Sequence, residues 1–175
     1  MGKLDGKVAV ITGGGTGIGK AIGKAFAEEG CDLVLAARNA ERLKESAEEI
    51  AATGVRTVAV PTDVASEADV IALFERAMSE FGRVDLLVNN AGVIAGDPIE
   101  ELTLEKWRQV FSVNVDGLMM CTREAFKIMK PQGGGRIINI GSVAADRPRE
   151  WSAPYTSSKH AVTGLTKSTA LDGRE

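Results

Sequence analysis

The chain has 175 residues, of which 44% are hydrophobic and 26% charged, and a formal net charge of −3. That length is one domain's worth, with enough apolar material to bury a core without disulfide or metal staples. The mild acidity offers no basic stripe to nucleic acid or to an anionic membrane, so neither is expected as a partner.

In chain order, Lys7 to Thr12 reads as a buried strand, and Ile18, Ala21, Ile22, Ala25 and Phe26 recur behind it at helical spacing. Leu33 to Ala37 is a second strand. Leu43, Ala47, Ile50 and Ala51 mark a second helix, with Asn39 as its cap. Arg56 to Val60 is the third strand. A third helix follows on Val70, Leu73, Phe74, Ala77, Met78 and Phe81, opened by a capping box of Ser66 and Asp69. Asp85 to Asn89 is the fourth strand. Helical periodicity then runs from Leu104 to Met129, with an irregularity expected near Asn114, whose amide interrupts an apolar face. Arg136 to Gly141 is the fifth strand, and a last helix covers Ala153 to Leu171. Continuously apolar strands alternating with crossover helices specify an α/β fold. The expected architecture is a doubly wound parallel sheet with helices on both faces, as one domain over residues 1–175.

Cys31 and Cys121 stand far apart in no metal or redox spacing and read as free buried thiols of a reducing compartment. No His, Cys and carboxylate cluster has ligand spacing, so no metal site is expected. The N-terminus lacks a signal-peptide layout, and Gly6 stands where a myristoylation site carries Ser or Thr. No apolar run reaches the length of a membrane span. A cytoplasmic protein is the resulting expectation.

The first strand ends in Thr12-Gly13-Gly14-Gly15-Thr16-Gly17-Ile18-Gly19, and a helix starts at once. Gly13 permits a sharp turn, Gly17 a close backbone approach to a pyrophosphate, and Gly19 close packing of the helix on the sheet. Gly15, Thr16 and Ile18 complete the loop. The helix N-terminus presents N–H groups and a positive dipole end to phosphates, which suits a Rossmann-like dinucleotide loop; the alternative is a tight turn without ligand. Past the second strand, where an acidic residue would bind a ribose 2′-hydroxyl, stands Arg38, followed by Asn39. An arginine there suits a 2′-phosphate, so NADP is favoured over NAD. The alternative for Arg38 is a solvated surface side chain.

Tyr155 and Lys159 lie four apart on the last helix and share a face. A phenol is a poor acid/base at neutral pH, and a neighbouring ammonium stabilises its phenolate. Ser142 follows the fifth strand, thirteen residues before Tyr155, where such folds place their ligands. Its hydroxyl can hold a carbonyl oxygen or make a local turn bond. Asn114 either satisfies a helix irregularity or anchors a relay water towards Lys159. Asn89 and Asn90 can fix the central sheet, while Ala91 and Gly92 leave room for a ribose. Asp63 and Val64 can cover an adenine edge.

Together, the TGGGTGIG loop, Asp63-Val64, Asn89-Asn90-Ala91-Gly92, Asn114, Ser142 and the Tyr155/Lys159 pair resemble the short-chain dehydrogenase/reductase family. The resemblance implies hydride exchange between a nicotinamide and a carbonyl/alcohol pair. Tyr155 would be the general acid/base and Ser142 would orient the substrate. Lys159 would tune the phenol and bind the nicotinamide ribose, and Asn114 would support the relay water. It also implies a small-molecule substrate and a homo-oligomer, dimer or tetramer, built on the two long helices that begin near Leu104 and Ala153. Leu118, Met119, Val162 and Leu165 are its candidate contacts.

Members of that family continue past this helix into further strands and a substrate lid, so the expectation is a truncated domain with its C-terminal strands missing. The fifth strand would then be an apolar edge. Ile94, Val143, Ala144, Arg149 and Trp151 would be left to select the substrate. The alternative function is a dinucleotide-binding module without turnover. A serine hydrolase using Ser142 and His160 is disfavoured, because the segment around Ser142 lacks the second glycine of a nucleophile elbow.

Overall fold

Val8–Thr12 forms strand β1, buried at all five positions, as a strand covered on both faces must be. It is followed by α1 (Gly17–Glu28), β2 (Asp32–Ala37), α2 (Ala40–Ala51), β3 (Thr57–Pro61), α3 (Glu67–Phe81) and β4 (Leu86–Asn89). The second half runs through α4 (Leu104–Phe111), a π-helical turn at Ser112–Gly117, α5 (Leu118–Gln132) and β5 (Arg136–Asn139). A 3₁₀ turn at Val143–Ala145 then leads to α6 (Ala153–Asp172). The computed structural model describes residues 2–174. Met1 and Glu175, the ends of the expected domain, lie outside the described residues.

Among the described residues the strands form one parallel sheet in the order β3-β2-β1-β4-β5. β1 is central, with Val10 opposite Val34 on one side and Leu87 on the other. The chain winds outward from β1 in both directions, so a crevice opens at the carboxyl ends of β1 and β4. Alternate strand residues face opposite layers. Val10, Val34 and Leu87 pack with Leu73, Phe74, Cys121 and Ala125. Ile11, Leu33 and Leu35 pack with Leu43 and Ile50 on the other face. Each of these fully buried leucines and isoleucines stabilises the fold by about 1.5–3 kcal/mol.

The helix starts follow their caps. The Asn39 carboxamide accepts from the Arg42 N–H at 2.9 Å. The Ser66 hydroxyl accepts from the Asp69 N–H at 3.3 Å. The capping box is altered on its return side, because the Asp69 carboxylate accepts from the Ser66 hydroxyl and the Asp63 N–H. β3 runs one residue further than periodicity predicts, to Pro61, which has no N–H to donate and is tolerated because β3 is the outer strand. β5 ends at Asn139 rather than Gly141, although the Ile140 N–H still donates to the Asn89 carbonyl.

The irregularity expected near Asn114 is the π turn. Gly117 closes it, and a Cβ there would lie 2.8 Å from the Val64 carbonyl oxygen, so only glycine lets this turn rest on the loop after β3. Cys31 and Cys121 are free and buried, and burial pushes both thiols up to about 12. Among the described residues no helix is long and apolar enough to cross a membrane.

Candidate active site

The loop between β1 and α1 is shaped by its glycines. Gly13 and Gly17 have φ of 66° and 53°, a region costly for other residues. A Cβ on Gly17 would meet nothing within 4 Å, so its backbone faces open space. One on Gly19 would lie 2.3 Å from the Gly13 carbonyl oxygen and 2.6 Å from Asn90 Nδ2. Gly19 thus packs against the loop itself and Asn90, where the sequence suggested the sheet. α1 carries no acid in its first turn, and its cap residue Thr16 makes no side-chain bond. Helices α2, α3 and α4, by contrast, each have a side-chain cap and an acid in the first turn. The N–H groups that open α1 are therefore left for an external acceptor.

Paired amides tie this loop to the sheet, as expected. Asn90 Nδ2 donates to the carbonyls of Thr12 and Gly13 at 3.0 and 3.2 Å. The Thr12 hydroxyl oxygen accepts from the N–H groups of Asn90 and Ala91. Asn89 Nδ2 donates to Thr122 and Asn139, and Asn139 donates to Thr166, linking β4, α5, β5 and α6. Gly92 is exposed beside them. Arg38 and Asn39 are exposed just past β2, with the Asn39 oxygen committed to its cap. Asp63 Oδ1 accepts from the Ala65 N–H at 3.0 Å, and Val64 is buried against Gly117.

The catalytic candidates converge at the same end of the sheet. Lys159 Nζ lies 5.7 Å from the centre of the Tyr155 ring. It donates at 2.8 Å to the carbonyl of Ile140, two residues before Ser142. Burial pushes this ammonium below the usual lysine range. The Ser142 oxygen accepts from the Ala144 N–H at 3.1 Å. This is the expected local turn bond, and it leaves the hydroxyl proton free to donate outward.

Asn114 is buried. Its Oδ1 accepts from the Val93 N–H at 2.8 Å, and its Nδ2 donates to the Val93 carbonyl and to Ser158 Oγ, each at 3.0 Å. Ser158 in turn donates to the Tyr155 carbonyl at 2.7 Å. A chain of bonds therefore runs from the loop after β4, through Asn114 and Ser158, to the backbone of Tyr155. Sequence reasoning missed Ser158; its only signal was a small hydroxyl residue beside Lys159.

Other candidates fall elsewhere. Arg149 and Trp151 line a cavity of about 360 Å³ with Ile99, Ala153, Thr156 and Ser157. Ala153 and Ser157 stand two residues either side of Tyr155, on the opposite face of α6. His160 is exposed, and its Nδ1 contacts the carbonyl of Thr156 on its own helix at 2.9 Å. Leu118 and Val162 are core residues, whereas Met119 is exposed and Leu165 lines a groove between α5 and α6 with Phe126. Among the described residues no His, Cys and carboxylate group could hold a metal ion.

A family model described as short chain dehydrogenase matches residues 7–175. The chain belongs to the short-chain dehydrogenase family. Curated relatives in this family include a 3beta-hydroxysteroid dehydrogenase of Mediterraneibacter gnavus, 39% identical over 98% of this chain and 62% of the relative. An NADP-dependent (R)-specific alcohol dehydrogenase of Lentilactobacillus kefiri is 40% identical over 97% of this chain and 68% of its own length. Among solved short-chain dehydrogenases, one from Burkholderia phymatum in complex with NAD superposes with a TM-score of 0.94 at 40% identity. That match covers 98% of this chain and 62% of the other. The chain thus spans about two thirds of the length of the curated relatives it matches.

Proposed function

We propose that this chain is an NAD(P)-dependent oxidoreductase acting on a small to medium carbonyl/alcohol pair. The observation that carries this reading is the buried Lys159 ammonium 5.7 Å from the Tyr155 ring, anchored on the strand end that leads into Ser142. The uncapped start of α1 and the open backbone at Gly17 fit a pyrophosphate. Gly13, Gly15, Thr16, Gly17, Ile18 and Gly19 would hold it. Asp63 and Val64 would border the adenine, and Asn90, Ala91 and Gly92 the ribose. Arg38 favours a 2′-phosphate and hence NADP. One relative is described as NADP-dependent, and one solved relative is in complex with NAD.

The chemistry that a nicotinamide held there would supply is hydride transfer. The Tyr155 hydroxyl gives its proton to the carbonyl oxygen in reduction and takes it back in oxidation. Ser142 donates a hydrogen bond to that same oxygen. Lys159 stabilises the phenolate and would bind the ribose hydroxyls of a nicotinamide cofactor. Asn114 holds the π turn on which a relay water towards Lys159 would sit. The exposed Met119 and the groove shared by Phe126 and Leu165 suit contact with a second copy of the chain.

The test is Tyr155→Phe, with turnover followed by loss of NADPH absorbance across a panel of ketones and aldehydes. The variant should lose about 10²–10⁴-fold in rate while its dinucleotide affinity is unchanged. Retained turnover would remove Tyr155 as the acid/base. A wild-type chain that binds dinucleotide but reduces none of the panel would leave a binding module instead.

A further inference from the structure

Helix α2 turns Leu43, Ala47 and Ile50 to the core, and one polar residue, Ser46, lies fully buried in the same stripe. A hydroxyl inside a helix commonly returns its proton to the carbonyl four residues back. Ser46 does otherwise: its Oγ donates at 3.0 Å to the carbonyl of Gly14, in the loop between β1 and α1. The Gly14 N–H donates at 3.1 Å to the Ala36 carbonyl at the end of β2. One residue of the loop is therefore held within the core at both its N–H and its carbonyl. Directly beyond it, Thr16, Gly17 and Ile18 are exposed at the open start of α1. Gly15 also lies beside α2, since a Cβ added to it would come within 3.6 Å of the Leu43 backbone.

We propose that Ser46 is a positioning residue of the dinucleotide site, acting through Gly14 to hold the Thr16–Gly19 N–H groups where they meet a pyrophosphate. This rests on the dinucleotide reading above. It also couples α2, the helix that begins just after Arg38, to the phosphate loop. The Ser46 hydroxyl touches no ligand, and it aims the groups that do.

The test compares wild type, Ser46→Ala and Ser46→Thr in titrations with NADPH, NADH and adenosine, at a temperature where circular dichroism shows each chain folded. Ser46→Ala should weaken both dinucleotides about tenfold, the effect of one lost hydrogen bond in a buried position. Adenosine, which lacks the pyrophosphate, should bind wild type and Ser46→Ala alike. Ser46→Thr, which keeps the hydroxyl, should restore dinucleotide binding. A purely structural serine would lower the melting temperature and leave these affinities in place, and that result overturns the proposal. So does an equal loss for adenosine. If Ser46→Thr fails to fold, amide exchange of unliganded Ser46→Ala against unliganded wild type decides: an increase over wild type at residues 16–19 that exceeds the increase in β1 supports the proposal, and exchange at 16–19 unchanged from wild type overturns it. A wild-type chain that binds neither dinucleotide overturns the functional reading, and this inference falls with it. Wild-type binding with an unaffected Ser46→Ala overturns the inference alone.

Discussion

Gly14 and Gly15 are identical neighbours with different surroundings. A Cβ on Gly14 would lie 3.1 Å from Leu35 and 3.2 Å from the Ile11 carbonyl oxygen, a wall partly of backbone. The same atom on Gly15 would meet nothing closer than 3.6 Å, an ordinary contact. Gly14→Ala is therefore expected to destabilise the chain by about 1–3 kcal/mol. Gly15→Ala should stay within about 0.5 kcal/mol of wild type. Urea denaturation of both variants checks this, and equal midpoints would contradict it. The fingerprint spacing made Gly13, Gly17 and Gly19 legible as a motif, although the Asn90 side chain against which Gly19 packs was not. Gly14, Ser46 and Ser158 were not legible, because each matters through a partner that only the folded chain supplies: Leu35, the Gly14 carbonyl, and Asn114 with the Tyr155 carbonyl. Arg149 and Trp151 line a cavity beside the start of α6. Nearness to Tyr155 in sequence does not fix which face of α6 a loop packs on.

At the scale of elements, hydrophobic period and capping residues located every strand and helix, with errors only at their ends. The break inside the long helix was visible as a buried amide among apolar neighbours. That it takes π form depends on Val93 and Val64, which are distant in sequence. Strand entry shows how charge sets register. Asp85, just before β4, accepts from the Val8 N–H at 3.0 Å and from Arg83 at 2.7 and 2.6 Å, with Lys7 at 3.2 Å. Burial alone would raise its pKa, but the bonds from Arg83, Val8 and Lys7 outweigh this and hold the carboxyl below its ordinary value. Because the folded value lies below the unfolded one, this stabilisation is complete above the unfolded pKa, near 4. It is lost as pH falls through the folded value. Asp85→Asn should cost about 1–2 kcal/mol at neutral pH, a modest figure because Arg83 is partly solvated. The gap between variant and wild type should then close as the pH is lowered below about 4. A gap independent of pH, measured by denaturation across that range, would exclude the charge as its source. The comparison isolates Asp85 from Glu124 and Asp69, whose carboxyls are also held low.

For the whole molecule, the parallel sheet places three separate pieces of chain at the carboxyl end of its strands. These are the glycine loop after β1, the amides after β4, and the segment from Ser142 to Lys159 after β5. The sequence carried this arrangement through motif order, since a doubly wound sheet sends the carboxyl end of every strand to the same side. β5 closes the described sheet as a half-exposed strand with Ile138 partly in solvent. What motif order left open is whether these pieces, in a chain about two thirds as long as its relatives, bind a dinucleotide together. Calorimetric titration of the folded 175-residue chain with NADPH and with NADH, beside Arg38→Asp, tests this most directly. Saturable binding is expected, tighter for NADPH, with Arg38→Asp losing NADPH affinity far more than NADH affinity. A folded chain that binds neither dinucleotide would contradict the assignment of the site.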